Sequence, residues 1–372
     1  MNKIRIGITQ GDVNGVGPEL IVKVLSNSDI LELFTPVIFG NKGVIRDTAK
    51  LLRKEDFRFE IISDASEIED GRINLIDVGD EITVTHGMPS SEAGNAAVAA
   101  LESASVAIEQ GALDLLVTAP IDKNTAQNDK FKFAGHTEYL EDKFVVDGGK
   151  ALMILAYENL RVSLLTTHIP LSDVPKNVTK ENVINAIKAF NLALKMDFGC
   201  ERPRIAVLSL NPHCGDGGLI GKEEIEEILP AVDECKKEGI VALGPIAADG
   251  LFGSGAYLNF DGVLAMYHDQ GLAPFKAIAG CKGINFTAGL NIVRTSPDHG
   301  TAYDKAGKGI ADETSLREAI YAAIDIARRR DSYLEASENP LPIRVPEPRT
   351  KKNSKEKETE TEEGTEQAQA QS

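Results

Sequence analysis

The 372-residue sequence has no tryptophan, four cysteines, few cations relative to anions and no apolar run of membrane-spanning length. Each shortage excludes something. Cys200, Cys214, Cys235 and Cys281 show neither CxxC spacing nor disulfide-rich density, so they read as free thiols of a reducing compartment. A catalytic thiol at Cys214 would need a partner at a recognisable spacing, and there is none. A membrane helix needs about 20 consecutive apolar residues, and no stretch approaches that. The start, MNKIRIGITQGD, lacks the apolar core and cleavage site of a signal peptide. The expectation is a cytoplasmic protein with no membrane contact. Lys and Arg number 40 against 57 Asp and Glu, a net charge of -17 that argues against nucleic acid as a partner. A small anionic substrate is still allowed, because it needs only a few local cations. No GxxxxGK[ST] occurs, and in the first glycine cluster Leu20 stands where the third glycine of the dinucleotide fingerprint belongs.

What is present alternates between strand-like and helix-like segments. Ile4 to Thr9 reads as a strand running into Gly11 to Gly17, and Pro18-Glu19 signals a helix start. That turn could bind an anion or simply be tight. Thr35 to Gly40, Phe57 to Ile62, Arg72 to Val78 and Asp114 to Thr118 read as strands, and Glu92 to Gln110, rich in Ala, as a helix. Helices are also expected over Thr179 to Asp197, over Lys222 to Lys237 with an interruption at Pro230, and over Leu316 to Arg330 behind the capping box Ser315-Leu-Arg-Glu318. The alternation predicts an α/β protein with a mostly parallel sheet, and the length predicts two domains. Residues 336–372, Pro-rich and then charged and Gln-rich, are expected to be disordered.

Three strand-like runs end on histidine: His168, His213 and His268. In a parallel sheet the carboxyl ends of the strands share one edge, so three neutral imidazoles could meet around a divalent cation, with Asp249 or Asp269 nearby. The alternative is that each imidazole only caps its own strand. His136 and Thr137 sit at a glycine-led turn. Lys276, Asn285 and Arg294 follow His268 at intervals of nine, and the Gly-rich run His299 to Gly309 comes next. Gly215 to Gly218 and Gly244 to Phe252 read as loops walling this edge.

With these residues in place, the chain resembles the 4-hydroxythreonine-4-phosphate dehydrogenase family of vitamin B6 biosynthesis over roughly residues 3 to 330. The likeness is carried by GDVNGVGPE, VTAPIDK, GHTEYL, TTHIPL, LNPHCGDGGLIGKEE, GPIAADGLF, AMYHDQGLAPFK and RTSPDHGTAYDKAGKGIAD. The last block is also similar to the HGSAPDIAGKG segment of isocitrate and isopropylmalate dehydrogenases. The resemblance implies two α/β/α domains with an interdomain cleft, residues 1–135 plus 305–335 and residues 136–304, in a homodimer whose site lies near the subunit interface. It implies that His168, His213 and His268 bind one divalent metal (Zn, Mg or Co), one of them reaching across from the partner subunit. His136, Thr137, Lys276, Asn285 and Arg294 would hold a small phosphorylated substrate. The cofactor, NAD or NADP, would lie against His299, Gly300, Thr301, Ala302, Asp304, Gly307 and Gly309. Asp249, Asp269 and Lys276 are the candidates for taking a proton from the substrate. The implied reaction is metal-dependent oxidation of 4-phosphohydroxy-L-threonine to a 3-oxo acid that loses CO2. Dehydrogenation of D-threonate or D-erythronate 4-phosphate, a non-redox hydrolase or lyase, and a non-catalytic binding module are the alternatives. Val13-Asn14, where the family usually shows Pro-Ala, and LAPFK after Gly271, where it shows LPVLK, depart from the pattern.

Overall fold

Strands with no polar alternation, such as Phe34–Gly40, every residue of which is buried, must be covered on both faces. The computed structural model, which describes residues 3–128, 131–146 and 149–340, does this with three layers. Its central layer is a twelve-stranded sheet: β1 Ile4–Thr9, β2 Phe34–Gly40, β3 Glu60–Ile62, β4 Asn74–Asp77, β5 Leu115–Thr118, β6 Leu152–Tyr157, β7 Leu160–Leu164, β8 Arg204–Leu208, β9 Val241–Ile246, β10 Gly262–Ala265, β11 Ile284–Ala288 and β12 Val293–Pro297. Their order is β3-β4-β2-β1-β5-β12-β11-β6-β7-β10-β8-β9. Residues Met1–Leu334 form one compact unit. Of the two segments expected from the sequence, residues 1–135 contain β1 to β5 and residues 136–304 contain β6 to β12.

The sheet is not parallel throughout. β11 is antiparallel to both β12 and β6, and β6 is antiparallel to β7. The parallel set β7-β10-β8-β9 therefore runs opposite to the parallel set containing β1, β2, β4, β3, β5 and β12. Two residues separate β6 from β7, enough for a hairpin and too few for a crossover helix.

One apolar cluster runs along a whole face of the sheet. It joins Ile6, Ile38, Leu115, Ile154, Val207 and Phe286 to the helices Gly17–Leu25, Lys180–Met196, Leu229–Lys237 and Thr314–Glu338. The opposite face carries two separate clusters. One packs Val37, Phe39 and Leu116 against the helices Ser91–Glu109 and His136–Phe144; the other packs Val162, Ala206 and Ala265 against His268–Ala279. Between them, β12, β11 and β6 present Arg294, Ser296, Asn285 and Met153 to that side, while Leu155 of β6 joins the second cluster.

Several local expectations need correction. The strand expected from Phe57 begins only at Glu60. Gly244 to Phe252 is not a loop: its first half completes β9 and its second lies in the helix Ala248–Gly253. The irregularity expected at Pro230 takes the form of a π-helical turn, Glu224–Ile228, which gives way to the α-helix Leu229–Lys237 immediately before it. Ser315 is not a helix cap. Asp312 accepts from Thr314 N at 2.9 Å, while the Ser315 hydroxyl, buried, donates to Gly283 O at 2.7 Å and accepts from Asp298 N at 3.1 Å. The last helix continues to Glu338, and residues 341–372 of the expected disordered tail lie outside the described residues. Among the described residues no helix is long and apolar enough to cross a membrane.

An internal ion pair fastens the last helix to the end of the helix Lys180–Met196 and to the connection between β11 and β12. Arg330 Nε and Nη2 lie 2.9 and 2.8 Å from Asp197 Oδ1, and Nη1 donates to Leu290 O and Ile292 O, both at 3.1 Å. Asp197 is fully buried, and burial raises its pKa against the pull of Arg330. Arg330→Met strands this carboxylate and should lower the unfolding free energy by about 3–5 kcal/mol in urea titrations. A loss below about 1 kcal/mol would show that the pair is not a net tie. Adding Asp197→Asn should recover part of the loss.

Candidate active site

The strands β12, β11 and β6 form the floor of a cleft. Side chains alternate along a strand, so Arg294 and Ser296 of β12, Asn285 of β11, and Met153 and Leu155 of β6 face it together. Arg294 is 2% exposed. Its Nε and Nη2 donate to Thr118 Oγ1 at 3.1 and 2.6 Å, and Nη1 donates to Thr287 Oγ1 at 3.0 Å. Among the described residues no carboxylate stands within ion-pairing distance of it. Burial draws its pKa down to about 10, with Glu138 opposing, so the guanidinium remains charged at neutral pH. A buried cation satisfied only by neutral hydroxyls leaves its charge available to an anion.

His136 and Thr137 open the helix His136–Phe144 and form one wall. His136 Nε2 is buried without a hydrogen-bond partner, and so is Asn285 Oδ1. Burial holds the His136 pKa well below its usual value, and Arg294 and Lys123 push the same way. The ring is therefore neutral. Buried polar atoms with no partner are uncommon in folded proteins, and two in one cleft beside a free buried charge mark a place for a polar ligand.

The parallel pairing of β7 with β10 continues past the strands, Leu165 N to Ala265 O at 2.8 Å and Thr166 N to Met266 O at 3.2 Å. This brings His168 and His268 into the cleft side by side, ring centroids 5.9 Å apart. In each ring Nδ1 faces a carboxylate, Asp269 Oδ1 at 2.7 Å from His268 and Glu138 Oε1 at 3.7 Å from His168. The contact with His168 holds the Glu138 carboxyl below its usual range. Carboxylates on the inner nitrogens leave the outer Nε2 atoms to bind, the arrangement of metal-ligating histidines. Lys123 Nζ lies 3.2 Å from the outer nitrogen of His168, so that nitrogen already faces a cation.

His213 is elsewhere. It lines a neighbouring cavity with Asp249, Phe252, Tyr267 and Gln270. Among the described residues of the single chain no three His, Cys, Asp or Glu side chains are grouped to hold a metal. His213 also stands in a left-handed turn. His213, Cys214 and Asp216 have φ of 52, 54 and 45°, with Gly215 and Gly217 between and after them. Each of the three non-glycine residues costs roughly 1–2 kcal/mol in that conformation.

The two glycine loops are joined. Val16 N donates to Thr301 O at 3.0 Å, Tyr303 OH to Asp12 Oδ2 at 2.7 Å, Gly307 N to Glu19 Oε1 at 2.5 Å, and Lys23 Nζ to Gly309 O at 2.9 Å. A Cβ on Gly15 would stand 2.8 Å from Thr301 O, so only glycine allows this approach. Ala302 has φ 44°, and Asp304 O accepts from Lys308 Nζ at 2.6 Å. A second cavity, lined by Val16, Leu20, Ala302, Lys305, Ala311 and Asp312, meets the first at Lys276, Asp298 and His299. Gly300 lies on the cleft side of that junction. Lys276 Nζ donates to Asp298 O at 2.8 Å and lies 3.3 Å from Asp298 Oδ1. Burial raises the Asp298 pKa, against Lys276. Its apolar walls beside carboxylates suit a nucleoside: apolar faces for a base, acceptors for ribose hydroxyls.

The five expected substrate residues thus line one cleft with His168 and His268, whereas His213 and Asp249 line another cavity. Asp269, 85% exposed at its side chain, orients His268. Sequence reading missed Lys123, Glu138, Thr118, Thr287 and Asp298. Lys123 and Glu138 belong to VTAPIDK and GHTEYL, but nothing local distinguishes them from surface charges.

The chain matches the family described as "Pyridoxal phosphate biosynthetic protein PdxA" over residues 32–323. It is 53% identical over 341 residues to a 4-hydroxythreonine-4-phosphate dehydrogenase of Bacteroides thetaiotaomicron, covering 91% of this chain and 93% of that protein. A protein of Oceanobacillus iheyensis named for D-threonate 4-phosphate dehydrogenase is 39% identical, over 87% of this chain and 97% of that one. Among solved structures, a 4-hydroxythreonine-4-phosphate dehydrogenase from Burkholderia phymatum superposes with a TM-score of 0.71 at 38% identity, covering 88% of this chain and 99% of that one.

The neutral His136 has a consequence for stability. Unfolded, the ring titrates near its ordinary pKa of about 6.5; folded, it takes its proton only at lower pH. The unfolded state binds more protons in that window. This part of the stability is therefore complete above pH of about 6.5 and falls, by up to about 1.4 kcal/mol per pH unit, as the pH drops below it. His136→Gln should show a smaller loss of urea-unfolding free energy between about pH 7 and pH 5.5 than the parent chain. Equal losses would mean that His136 is protonated in the folded protein.

Proposed function

We propose that this chain, which belongs to the PdxA family of pyridoxal phosphate biosynthetic proteins, oxidises 4-phosphohydroxy-L-threonine to the 3-oxo acid, which decarboxylates to 3-amino-2-oxopropyl phosphate. The observation that carries this reading is Arg294: a buried guanidinium with no carboxylate paired to it among the described residues, in one cleft with the unpartnered His136 Nε2 and Asn285 Oδ1. It is a dehydrogenase, so the non-redox and non-catalytic alternatives fall away.

In this reading Arg294 meets the substrate's phosphate or carboxylate, and its planar fork suits two oxygens at once. His136, Thr137 and Asn285 fix the remaining polar groups, the orphaned atoms gaining their missing hydrogen bonds. His168 and His268, with carboxylates behind them, and His213 of the partner subunit would hold one divalent cation (Zn, Mg or Co). Such a cation supplies Lewis acidity that makes the substrate hydroxyl easier to deprotonate and steadies the enolate after CO2 loss. The subunit exchange is supported by the separation of His213 from the cleft and by apolar side chains beside it, Leu219 being 82% exposed and Ile220 and Ile225 also open. The cavity beside Ala302 and Asp312, which His299, Ala302 and Lys305 of the 299–309 loop line while Thr301, Asp304, Gly307 and Gly309 do not, would take NAD or NADP, whose nicotinamide supplies the hydride acceptor. Lys276, which lines both cavities and pairs with Asp298, would take the hydroxyl proton in its neutral form. Asp269 is committed to His268, and Asp249 stays with His213.

D-threonate or D-erythronate 4-phosphate is the second reading, supported by the Oceanobacillus relative's name. The departure at Val13-Asn14 does not favour it. Both residues are about 1% exposed, and the Asn14 side chain binds Met88 O and Thr85 N rather than opening into the cleft.

Absorbance of reduced nicotinamide tests the assignment. With a divalent metal and NAD or NADP, 4-phosphohydroxy-L-threonine should give reduced cofactor. Turnover of the sugar-acid phosphates alone would move the chain to the second reading. Arg294→Met should lower kcat/KM by about 100-fold, equivalent to ~2.7 kcal/mol, mostly through KM. An unchanged KM would remove Arg294 from the substrate.

A further inference from the structure

Behind His213 lies a carboxylate with no cation beside it among the described residues. Glu224 is 2% exposed. Its Oε1 accepts from Leu210 N at 2.8 Å and Asn211 N at 2.7 Å, and its Oε2 accepts from Asn211 Nδ2 at 3.0 Å. On the far side of the turn Gly215 comes so close that a Cβ there would stand 2.7 Å from Glu224 Oε2. One carboxylate thus touches the chain just before and just after His213. Between those contacts the backbone has the wrong hand for L-residues. Left to itself such a segment relaxes toward right-handed or extended geometry, which would re-aim the imidazole. The clamp is also anchored: Ser209 Oγ donates to Asn211 O at 2.9 Å, Gln270 Nε2 donates to Ser209 O at 2.6 Å, and Gln270 Oε1 accepts from Met266 N at 2.7 Å. The strand end that carries His268 therefore braces the one that carries His213.

We infer that Glu224 is a positioning residue: it holds the left-handed turn Pro212–Gly218 and thereby aims His213 at the metal, an inference that rests on the reading of His213 as a ligand. Its contribution is reach, since Oε1 alone accepts from the backbone N–H of both Leu210 and Asn211, and a single amide oxygen at that distance can do the same; charge at the metal is not its role. Glu224→Asp keeps the charge and withdraws the carboxylate by one methylene, whereas Glu224→Gln keeps the reach and removes the charge.

Titration of the metal-stripped full-length protein with Co2+, followed by its visible absorption, separates these. Glu224→Asp and Glu224→Ala should weaken Co2+ binding about 10- to 100-fold, and Glu224→Gln by less than about threefold. Amide exchange over residues 210–218 should quicken in the first two only. Circular dichroism and Tm identify any variant that fails to fold; should Ala fail, the Asp and Gln pair decides. If His213→Ala weakens Co2+ binding while Glu224→Asp binds as the parent does, the positioning role is wrong and the ligand reading stands. If Gln weakens binding and Asp does not, charge rather than reach is the function, and the proposal fails. Should His213→Ala bind Co2+ normally, the ligand reading itself falls, and the clamp's purpose with it.

Discussion

A guanidinium buried among hydroxyls is the constraint on which the site depends. Removing a charge from water costs several kcal/mol unless strong partners replace the solvent. Among the described residues Arg294 has only Thr118 and Thr287 as hydrogen-bond partners, both neutral. The fold tolerates this because those threonines stand on β5 and β11, the strands flanking β12, so the cation is gripped by the sheet itself. The same charge helps keep His136 neutral. The cleft thus has one fixed cation, one neutral imidazole and a free amide oxygen before any ligand arrives, the kind of preorganisation that binding and catalysis both draw on.

The cleft exists because the sheet reverses direction. Two oppositely running parallel sets are joined through the antiparallel strands β6 and β11, and each set carries its own helices on the cleft side. The two sets of helices stand apart over the middle strands, and the strip of sheet between them, with Arg294, Asn285 and Met153 on it, is the floor of a trough. Its floor is β-structure, so Asn285 and Arg294 are set by strand register rather than by a mobile loop. The walls come from sequence-distant segments, and for that reason Lys123, Glu138 and His168 can meet.

Strain and its support are distributed around this trough. The loop 299–309 is tied to the first glycine turn by hydrogen bonds from Val16, Tyr303, Gly307 and Lys23, and its approach at Gly15 admits no side chain. Burial raises the Asp12 carboxyl's pKa against the hydrogen bond from Tyr303, and raises the Tyr303 phenol's as well, so the phenol keeps the proton that it donates to Asp12. The His213 turn is supported in the same manner by Glu224. In both places an unusual backbone is held by a buried acidic side chain from a neighbouring helical segment, which is how a protein keeps a functional segment out of its resting geometry.

The amino-acid order by itself determined the elements and the chemical inventory. Unbroken apolar runs of β length, Pro18 behind a glycine turn and the Ala-rich stretch before Gln110 dictate strand, turn and helix through local sterics and burial. Histidines at the ends of such runs, with Lys276, Asn285 and Arg294 in glycine-rich company, were legible as a candidate site because packing gives no reason to put them there. The antiparallel middle of the sheet was not legible, since a buried strand has the same composition in either direction and only its neighbours decide which way it runs. Nor was the role of Thr118, which meets Arg294 from 176 residues away, or of Glu138, which meets His168 on another segment. The sequence placed three histidines in one pattern; the tertiary structure put two in the cleft and the third beside another cavity, because the helices and loops after each strand, not the strand ends alone, decide where a side chain arrives.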